Sequence, residues 1–128
     1  MDRKQFLHAV MDRSGIDEEG ARRATLSALA DLRDALPPDE AHDLASQLPQ
    51  GLKELAGARP AQAGVPGQMQ MQPLVEHIRT VLQPADRAQA SLVTHAVFAT
   101  LRDALEPGEM EDIRGVFPPE LQRDVQPA

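Results

Sequence analysis

The sequence has no cysteine, tryptophan or tyrosine, and its only aromatic residues are Phe6, Phe98 and Phe117. Without cysteine, disulfide bonds and Cys-ligated metal centres are excluded. A chain of 128 residues must therefore be held together by packing. This composition is typical of the reducing cytosol, so we expect a cytoplasmic location. Three aromatic side chains are also too few for a platform on which single-stranded nucleic acid could stack.

Long apolar runs are missing as well. No stretch approaches the ~20 apolar residues that span a membrane, and the charges near the N-terminus, among them Asp2, Arg3 and Lys4, argue against a signal peptide. The net charge is −7, it is shared by both halves of the chain, and no basic stripe is confined to one element. Because an evenly acidic surface repels phosphate groups, we expect neither nucleic acid nor membrane among the partners.

Motifs for catalysis and cofactor binding are also lacking. The serines lie outside any G-x-S-x-G setting, the glycines form no phosphate-binding loop, and the acidic segments do not match the D-x-D-x-D-G calcium loop. Adjacent carboxylates open helices or line solvated faces, where acids are favoured. The sequence therefore predicts a non-enzymatic protein with no catalytic residue and no cofactor.

What the sequence does contain is an internal repeat. Residues 24–55 align without gaps with residues 93–124, at a constant offset of 69 and with 12 identities in 32 positions. The segment Leu-Arg-Asp-Ala-Leu occurs at 32–36 and again at 101–105. The other identical pairs are Thr25 and Thr94, Ala30 and Ala99, Pro38 and Pro107, Glu40 and Glu109, Asp43 and Asp112, Pro49 and Pro118, and Leu52 and Leu121. Because both prolines align too, we interpret the pattern as a duplication.

Helix signals give each copy the same plan. The predicted helices are 3–13, 17–36, 38–48 and 50–56 in the first copy, and 73–82, 85–105, 107–116 and 119–125 in the second. Gly15 is the expected C′ residue of the first helix and Asp17 the N-cap of the next, while Pro38 and Pro107 suit first helical positions. The fold class predicted is all-α: two tandem copies of a three-to-four-helix unit, packed as one small helical bundle.

The expected domain organisation is a first repeat at 1–56, a flexible linker at 57–72 and a second repeat at 73–128. Glycine, proline, alanine and glutamine dominate the linker, which carries only one charge. Met69 and Met71 could be a docking contact. We interpret them as incidental, because residues two apart fit no helical face.

The chain resembles a bacterial family, domain of unknown function 2267. The resemblance depends on the Phe-Leu start of the first helix, the Leu-Arg-Asp-Ala-Leu end of the second, a Pro-x-Glu-x-x-Asp-Leu start to the third, and Leu-Pro-x-x-Leu after it. The second copy departs with Phe117-Pro118 in place of Leu-Pro. The resemblance implies an all-α bacterial protein that often carries the unit twice, with no activity, cofactor or catalytic residue to transfer.

Two charged pairs recur at the repeat offset: Arg33 with Glu40, and Arg102 with Glu109. Seven residues apart across a proline turn, each pair could form a salt bridge between the second and third helices of its copy. The alternative is that the two arginines bind an anion. We favour the structural interpretation, because each glutamate also stands at the third helical position, where the helix dipole favours an acid.

His8 and His77 also share the offset of 69 and are candidates for a metal or pH-sensing pair if the first helices of the two copies meet. Neither has a second ligand at helical spacing, so a capping or solvent-facing role is the alternative. The function predicted is a protein-interaction or self-association module, with another protein or a second copy as partner. The alternative is a small-ligand, metal or pH-sensing regulatory domain that uses the groove between the repeats.

Overall fold

All regular structure in residues 1–52 and 67–126, the part of the chain that the computed structural model describes, is helical. The α-helices are α1 (Arg3–Ser14), α2 (Glu18–Ala35), α3 (Pro38–Gln47), α4 (Met71–Val81), α5 (Arg87–Ala104), α6 (Pro107–Ile113) and α7 (Gln122–Val125), with 3₁₀ turns at Arg114–Val116 and Pro119–Leu121. None of them is long and apolar enough to cross a membrane. The all-α prediction is confirmed for these residues.

Local sequence signals explain where α1 and α2 begin and end. Asp2 accepts a hydrogen bond from the backbone N–H of Gln5, and the Gln5 side chain accepts one from the Asp2 N–H, which completes a capping box. Gly15 ends α1 with φ +76°, the left-handed conformation that glycine adopts without strain. Asp17 then caps α2 by accepting from the N–H of Gly20 at 2.8 Å. Both sequence predictions for this turn are confirmed.

The halves on either side of residues 53–66 share one core. Helix α1 packs against α2 and against α5 of the second half, and α4 packs against α5 and against α2 of the first half. The long helices α2 and α5 also contact each other, and α3 contacts α6. One cluster of buried side chains runs through both halves; its largest fully buried members are Phe6, Phe98, Phe117, Leu29, Leu32, Leu52, Ile78, Leu101, Met110, Ile113, Leu121 and Val10. One bundle, as predicted, is therefore the correct description of the packing.

Most predicted helix ends agree with the observed ones to within a residue, and the larger differences lie in the second half, where the helix expected at 85–105 begins at Arg87. The helix expected at 107–116 ends at Ile113, and Arg114–Val116 continues as a 3₁₀ turn. The helix expected at 73–82 begins earlier, at Met71. The turn predicted at 50–56 can be followed only as far as Leu52, which is buried; its remainder lies outside the described residues.

The end of the predicted linker belongs to the folded body. Met69 is 5% exposed, and its N–H donates to the carbonyl of Val116 at 2.7 Å. The N–H of Gly67 donates to the carbonyl of Ala35, also at 2.7 Å. The interpretation of Met69 as incidental is therefore wrong: in extended backbone ahead of a helix, a single side chain can reach the core without any helical periodicity. Residues 57–66 of the predicted linker lie outside the described part.

Candidate metal centre

Helices α3 and α6 begin in the same way. The residues before them are extended, with Pro37 and Glu106 as N-caps and Pro38 and Pro107 at the first helical position. Neither N-cap side chain makes a capping hydrogen bond. The third helical position, where an acid is stabilised by the helix dipole, is therefore the glutamate of each Pro-x-Glu segment: Glu40 in α3 and Glu109 in α6.

A glutamate at the third helical position usually folds back to the N–H of the N-cap residue. That bond is not available in either helix. Pro37 has no N–H to donate, and the N–H of Glu106 donates instead to Oε1 of Gln47 at 3.2 Å. The carboxylates of Glu40 and Glu109 are thus free to turn toward the contact between α3 and α6.

Three carboxylates converge at this contact. One oxygen each from Glu40, Asp43 and Glu109 lies within 4.8 Å of the others. Asp43 stands three residues after Glu40 on α3, so the two side chains share a helix face. Glu109 is 7% exposed, Glu40 is half-buried, and Asp43 is exposed. These three residues form what we call the carboxylate cluster.

Two oxygens of the carboxylate cluster are buried without a hydrogen-bond partner among the described residues. They are Oε2 of Glu40 and Oε1 of Glu109, one from each half of the chain. A buried acceptor left unsatisfied costs about 1–3 kcal/mol, and more when it is charged. A buried polar group in this state needs a specific explanation, and a bound ion is one of the recognised ones.

The electrostatics of the carboxylate cluster are equally unfavourable without a cation. Burial raises the pKa of Glu109, and the charges of Glu40, Asp43 and Asp112 raise it further. Two ionised carboxylates within 4.8 Å of each other repel by at least about 3.5 kcal/mol at an effective dielectric constant of about 20, before screening by salt. A proton or a cation is needed to relieve that repulsion.

The donor set decides which cations would suit. It consists of carboxylate oxygens alone, with no nitrogen or sulfur ligand within it. Oxygen donors suit the hard cations Mg²⁺, Ca²⁺ and Mn²⁺ and give no particular advantage to zinc, nickel or copper. The cluster is thus suited to binding a hard divalent cation between α3 and α6.

The salt bridges predicted for the repeated pairs are not formed. Arg33 pairs with the adjacent Asp34 at 3.3 Å, and Arg102 with the adjacent Asp103 at 3.1 Å. The physical reason is the direction of the glutamates, which turn from their own second helix toward the opposite half of the molecule. Arg33 and Arg102 therefore do not neutralise the buried oxygens of Glu40 and Glu109.

The candidate histidines do not join this cluster. His8 is exposed on α1, and Nδ1 of His77 lies 2.7 Å from Oδ2 of Asp31 on α2. In the part of the chain described, neither belongs to a group of three metal-ligating side chains. The helices that carry them, α1 and α4, each pack on α2 and α5 and do not pack extensively on each other. His77 acts in the structure as a tie between the halves.

A groove between the halves lies beside the turn that joins α1 to α2. Its volume is about 410 Å³, and its lining includes Ile16, Arg23 and Leu82. Its charged groups already have partners: Asp17 caps α2, and Arg23 pairs with Glu19 at 3.1 Å. Neither His8 nor His77 lines it. The groove therefore offers no converging set of free polar groups comparable with the carboxylate cluster.

Asp43 was recognised in the repeat but was not predicted to be a site residue, although its signal was present. Glu40 and Asp43 recur as Glu109 and Asp112, at the same spacing of three. Read as one motif, Pro-x-Glu-x-x-Asp places two acids on one face at the start of a short helix. Only the contact between α3 and α6 shows that the two occurrences meet.

The fold and the cluster together define a helical protein whose two halves meet at an acidic junction. The comparison with protein families then identifies its family: the chain belongs to the family described as "Uncharacterized conserved protein (DUF2267)", whose model matches residues 3–123. This confirms the family expected from the repeated motif. A search of curated proteins found no match to the chain.

Proposed function

We propose that this protein binds a hard divalent cation through Glu40, Asp43 and Glu109 and works as a cation-responsive regulatory module. One observation carries the proposal: Glu40 and Glu109, from two halves of the chain, bring carboxylate oxygens within 4.8 Å of each other, and each has a buried oxygen without a hydrogen-bond partner in the described structure. Their proximity to Asp43 supplies a third oxygen donor. Such a set costs stability unless it has a ligand.

This proposal is a form of the sensing function that the sequence offered as an alternative. The ligands differ from the ones expected there, since carboxylates of α3 and α6 take the place of His8 and His77. Because the cluster joins α3 of the first half to α6 of the second, occupancy by a cation would strengthen the contact between the halves.

The protein-interaction or self-association function stays a prediction. Among the described residues, the large hydrophobic side chains that are exposed are Met1 and Leu92, which do not make up an extended apolar patch. A partner surface formed by the described residues would therefore be mostly polar. That the protein is non-enzymatic, bacterial and cytoplasmic also stays a prediction.

Isothermal titration calorimetry of the chelator-treated full chain tests cation binding. We expect Ca²⁺ or Mn²⁺ to bind at one site with a dissociation constant between about 10⁻⁵ and 10⁻³ M, weaker than preformed calcium loops with more ligands. Glu109→Gln keeps the side-chain shape but removes a charged ligand, so it should weaken binding at least tenfold.

The matched control is Glu120→Gln, which removes the same charge from an exposed position. It should leave the dissociation constant within a factor of two. Absence of binding by any hard cation at millimolar concentration would disprove the proposal. Binding of Zn²⁺, Ni²⁺ or Co²⁺ that is lost in His77→Ala but kept in Glu109→Gln would instead favour the histidine site.

A further inference from the structure

Helix α3 is the least firmly anchored of the longer helices described. Within α3 only Leu44 is buried, whereas α2 buries ten residues. The beginning of α3 has no capping side chain, and Pro37, Pro38 and Asp39 are exposed. Few buried apolar contacts mean a low free energy of local opening. The position of α3 is therefore sensitive to what happens at its contact with α6.

The contact between α3 and α6 joins two acidic segments. Helix α3 carries Asp39, Glu40 and Asp43 and no lysine or arginine. Helix α6 carries Glu109, Glu111 and Asp112 and likewise has no lysine or arginine. Like charges on facing elements oppose their association. Leu44, the buried residue of α3, belongs to the shared apolar core, and that burial opposes the repulsion.

The donor set favours one class of cation over another. Ca²⁺ accepts several carboxylates from the protein at about 2.3–2.6 Å in a flexible geometry. Mg²⁺ demands a near-ideal octahedron, keeps several waters and is usually held by one or two carboxylates. Glu40, Asp43 and Glu109 bring three carboxylate oxygens within 4.8 Å of one another. Three protein carboxylates from two helices suit Ca²⁺ better than Mg²⁺.

We propose that a calcium-sized divalent cation, held by Glu40 and Asp43 from α3 and by Glu109 from α6, fastens α3 to the second half of the molecule. This deepens the proposed function, on which it rests, by naming the ion class and the element that responds. With the ion bound, α3 is docked. Without it, α3 opens more often, and the cation concentration sets the fraction of docked molecules.

Hydrogen–deuterium exchange of the full chain, measured by mass spectrometry in chelator and in 5 mM CaCl₂ at constant ionic strength, tests this proposal. We expect the amides of residues 42–48 to exchange roughly tenfold more slowly with Ca²⁺, because opening of α3 must first release the ion. Amides of α1, which carries no cluster residue, should not change.

Variants make the result specific. Glu109→Gln should lose the calcium-dependent protection of residues 42–48, and Glu120→Gln should keep it. If Glu109→Gln does not fold, Asp43→Asn replaces it, because Asp43 is exposed and its neutral variant perturbs no buried side chain.

The outcomes separate the two proposals. Calorimetric binding of Ca²⁺ without any change in exchange at residues 42–48 would overturn the docking proposal and leave cation binding intact. Absence of binding would overturn both. Equal protection by 5 mM Mg²⁺ would overturn the assignment to calcium-sized ions.

Discussion

The side chain of Glu109 combines features that rarely occur together on a surface helix. It is 7% exposed, its Oε1 has no hydrogen-bond partner in the described structure, and the acids around it raise its pKa after burial has already done so. Glu40, at the equivalent position of α3, shares the unpartnered oxygen but is more exposed. At this scale the protein retains a destabilising arrangement, which is typical of functional sites.

Glu109→Gln is therefore expected to stabilise the protein when divalent cations are removed. The amide removes one of the like charges and can donate a hydrogen bond to Glu40. We expect a gain of about 1 kcal/mol, which corresponds to a rise of about 3–5 °C in the melting temperature of a chain this size. Circular dichroism melts in chelator at pH 7 measure it, with Glu120→Gln as the control that should stay within about 1 °C.

The gain in stability expected for Glu109→Gln should shrink at acidic pH. The raised pKa of Glu109 means that the folded state binds the proton more tightly than the unfolded chain. The stabilisation of the wild type by this proton is fully present below the ordinary pKa of a glutamate. It is lost as the pH rises through the higher pKa that Glu109 has in the folded state. If Glu109→Gln melted at a lower temperature than the wild type in chelator at pH 7, this account of Glu109 would be contradicted.

The sequence identified Glu40 and Glu109 as a repeated pair but assigned them the wrong neighbours. A spacing of seven residues across a proline turn made salt bridges to Arg33 and Arg102 plausible. Pro37 lacks an N–H by its own chemistry, but the sequence could not show that the N–H of Glu106 is already used, because that depends on Gln47 of the first half. Contacts made over long sequence separations have no local signal.

At the scale of helices, polar ties between the halves accompany the apolar core. Arg13 at the end of α1 donates to Oγ1 of Thr100 and to Oδ2 of Asp103, both at 2.6 Å. His77 on α4 of the second half pairs with Asp31 on α2 of the first half. Each tie joins the first helix of one half to the long helix of the other. Together they fix the angle at which each first helix lies on the opposite half.

Asp103→Asn tests the tie between α1 and α5. Partial burial alone would raise the pKa of Asp103, but hydrogen bonds from Arg13 and Arg102 and their positive charges lower it overall. We expect the variant to be less stable at pH 7 by about 0.5 kcal/mol, since both partners are partly solvated. Urea titration monitored by circular dichroism measures the difference.

The same urea titration repeated at lower pH tests whether the ionised form of Asp103 stabilises the folded state. A lowered pKa stabilises the folded state above the ordinary pKa of an aspartate, and the contribution disappears as the pH falls through the folded value. The variant and the wild type should therefore converge in acid. The control is Asp12→Asn, an exposed change on α1, which should have the stability of the wild type at either pH. A loss of stability in Asp103→Asn that does not depend on pH would exclude the ion pair as its cause.

Helix positions were largely predictable, because caps, prolines and apolar spacing act locally. Gly15, Asp17 and Pro38 each mark a boundary by backbone chemistry that needs no tertiary partner. Met69 was not predictable in this way: its burial depends on a hydrogen bond to Val116, nearly 50 residues away in the chain. Docking of extended segments is decided by the surface they meet.

At the scale of the whole molecule, the first half depends on the second for its core. Phe6, Leu7 and Val10 of α1 are buried in a cluster that includes residues of α5. The crossed contacts, α1 on α5 and α4 on α2, mean that neither half completes its own packing. Halves of fewer than about 60 residues are marginal alone, which agrees with a core that both halves share.

Residues 1–56 expressed alone should therefore fail to form a stable monomer. Loss of α5 would expose the apolar face of α1 and remove the partners of Arg13. Light scattering and circular dichroism of this fragment, beside the full chain, should show either an unfolded chain or an associated one. A helical monomer with a cooperative melt would contradict the shared core.

The crossed packing also affects how the protein is made. Arg13 and Thr100 are 87 residues apart in the chain, and at about 5–20 residues per second the ribosome needs roughly 4–17 s to add that length. During this interval α1 has been synthesised but its partner helix has not. The nascent chain then presents Phe6, Leu7 and Val10 unburied, a surface that a holding chaperone would recognise. Final packing of this fold is therefore a step that follows synthesis of α5, rather than one that proceeds half by half.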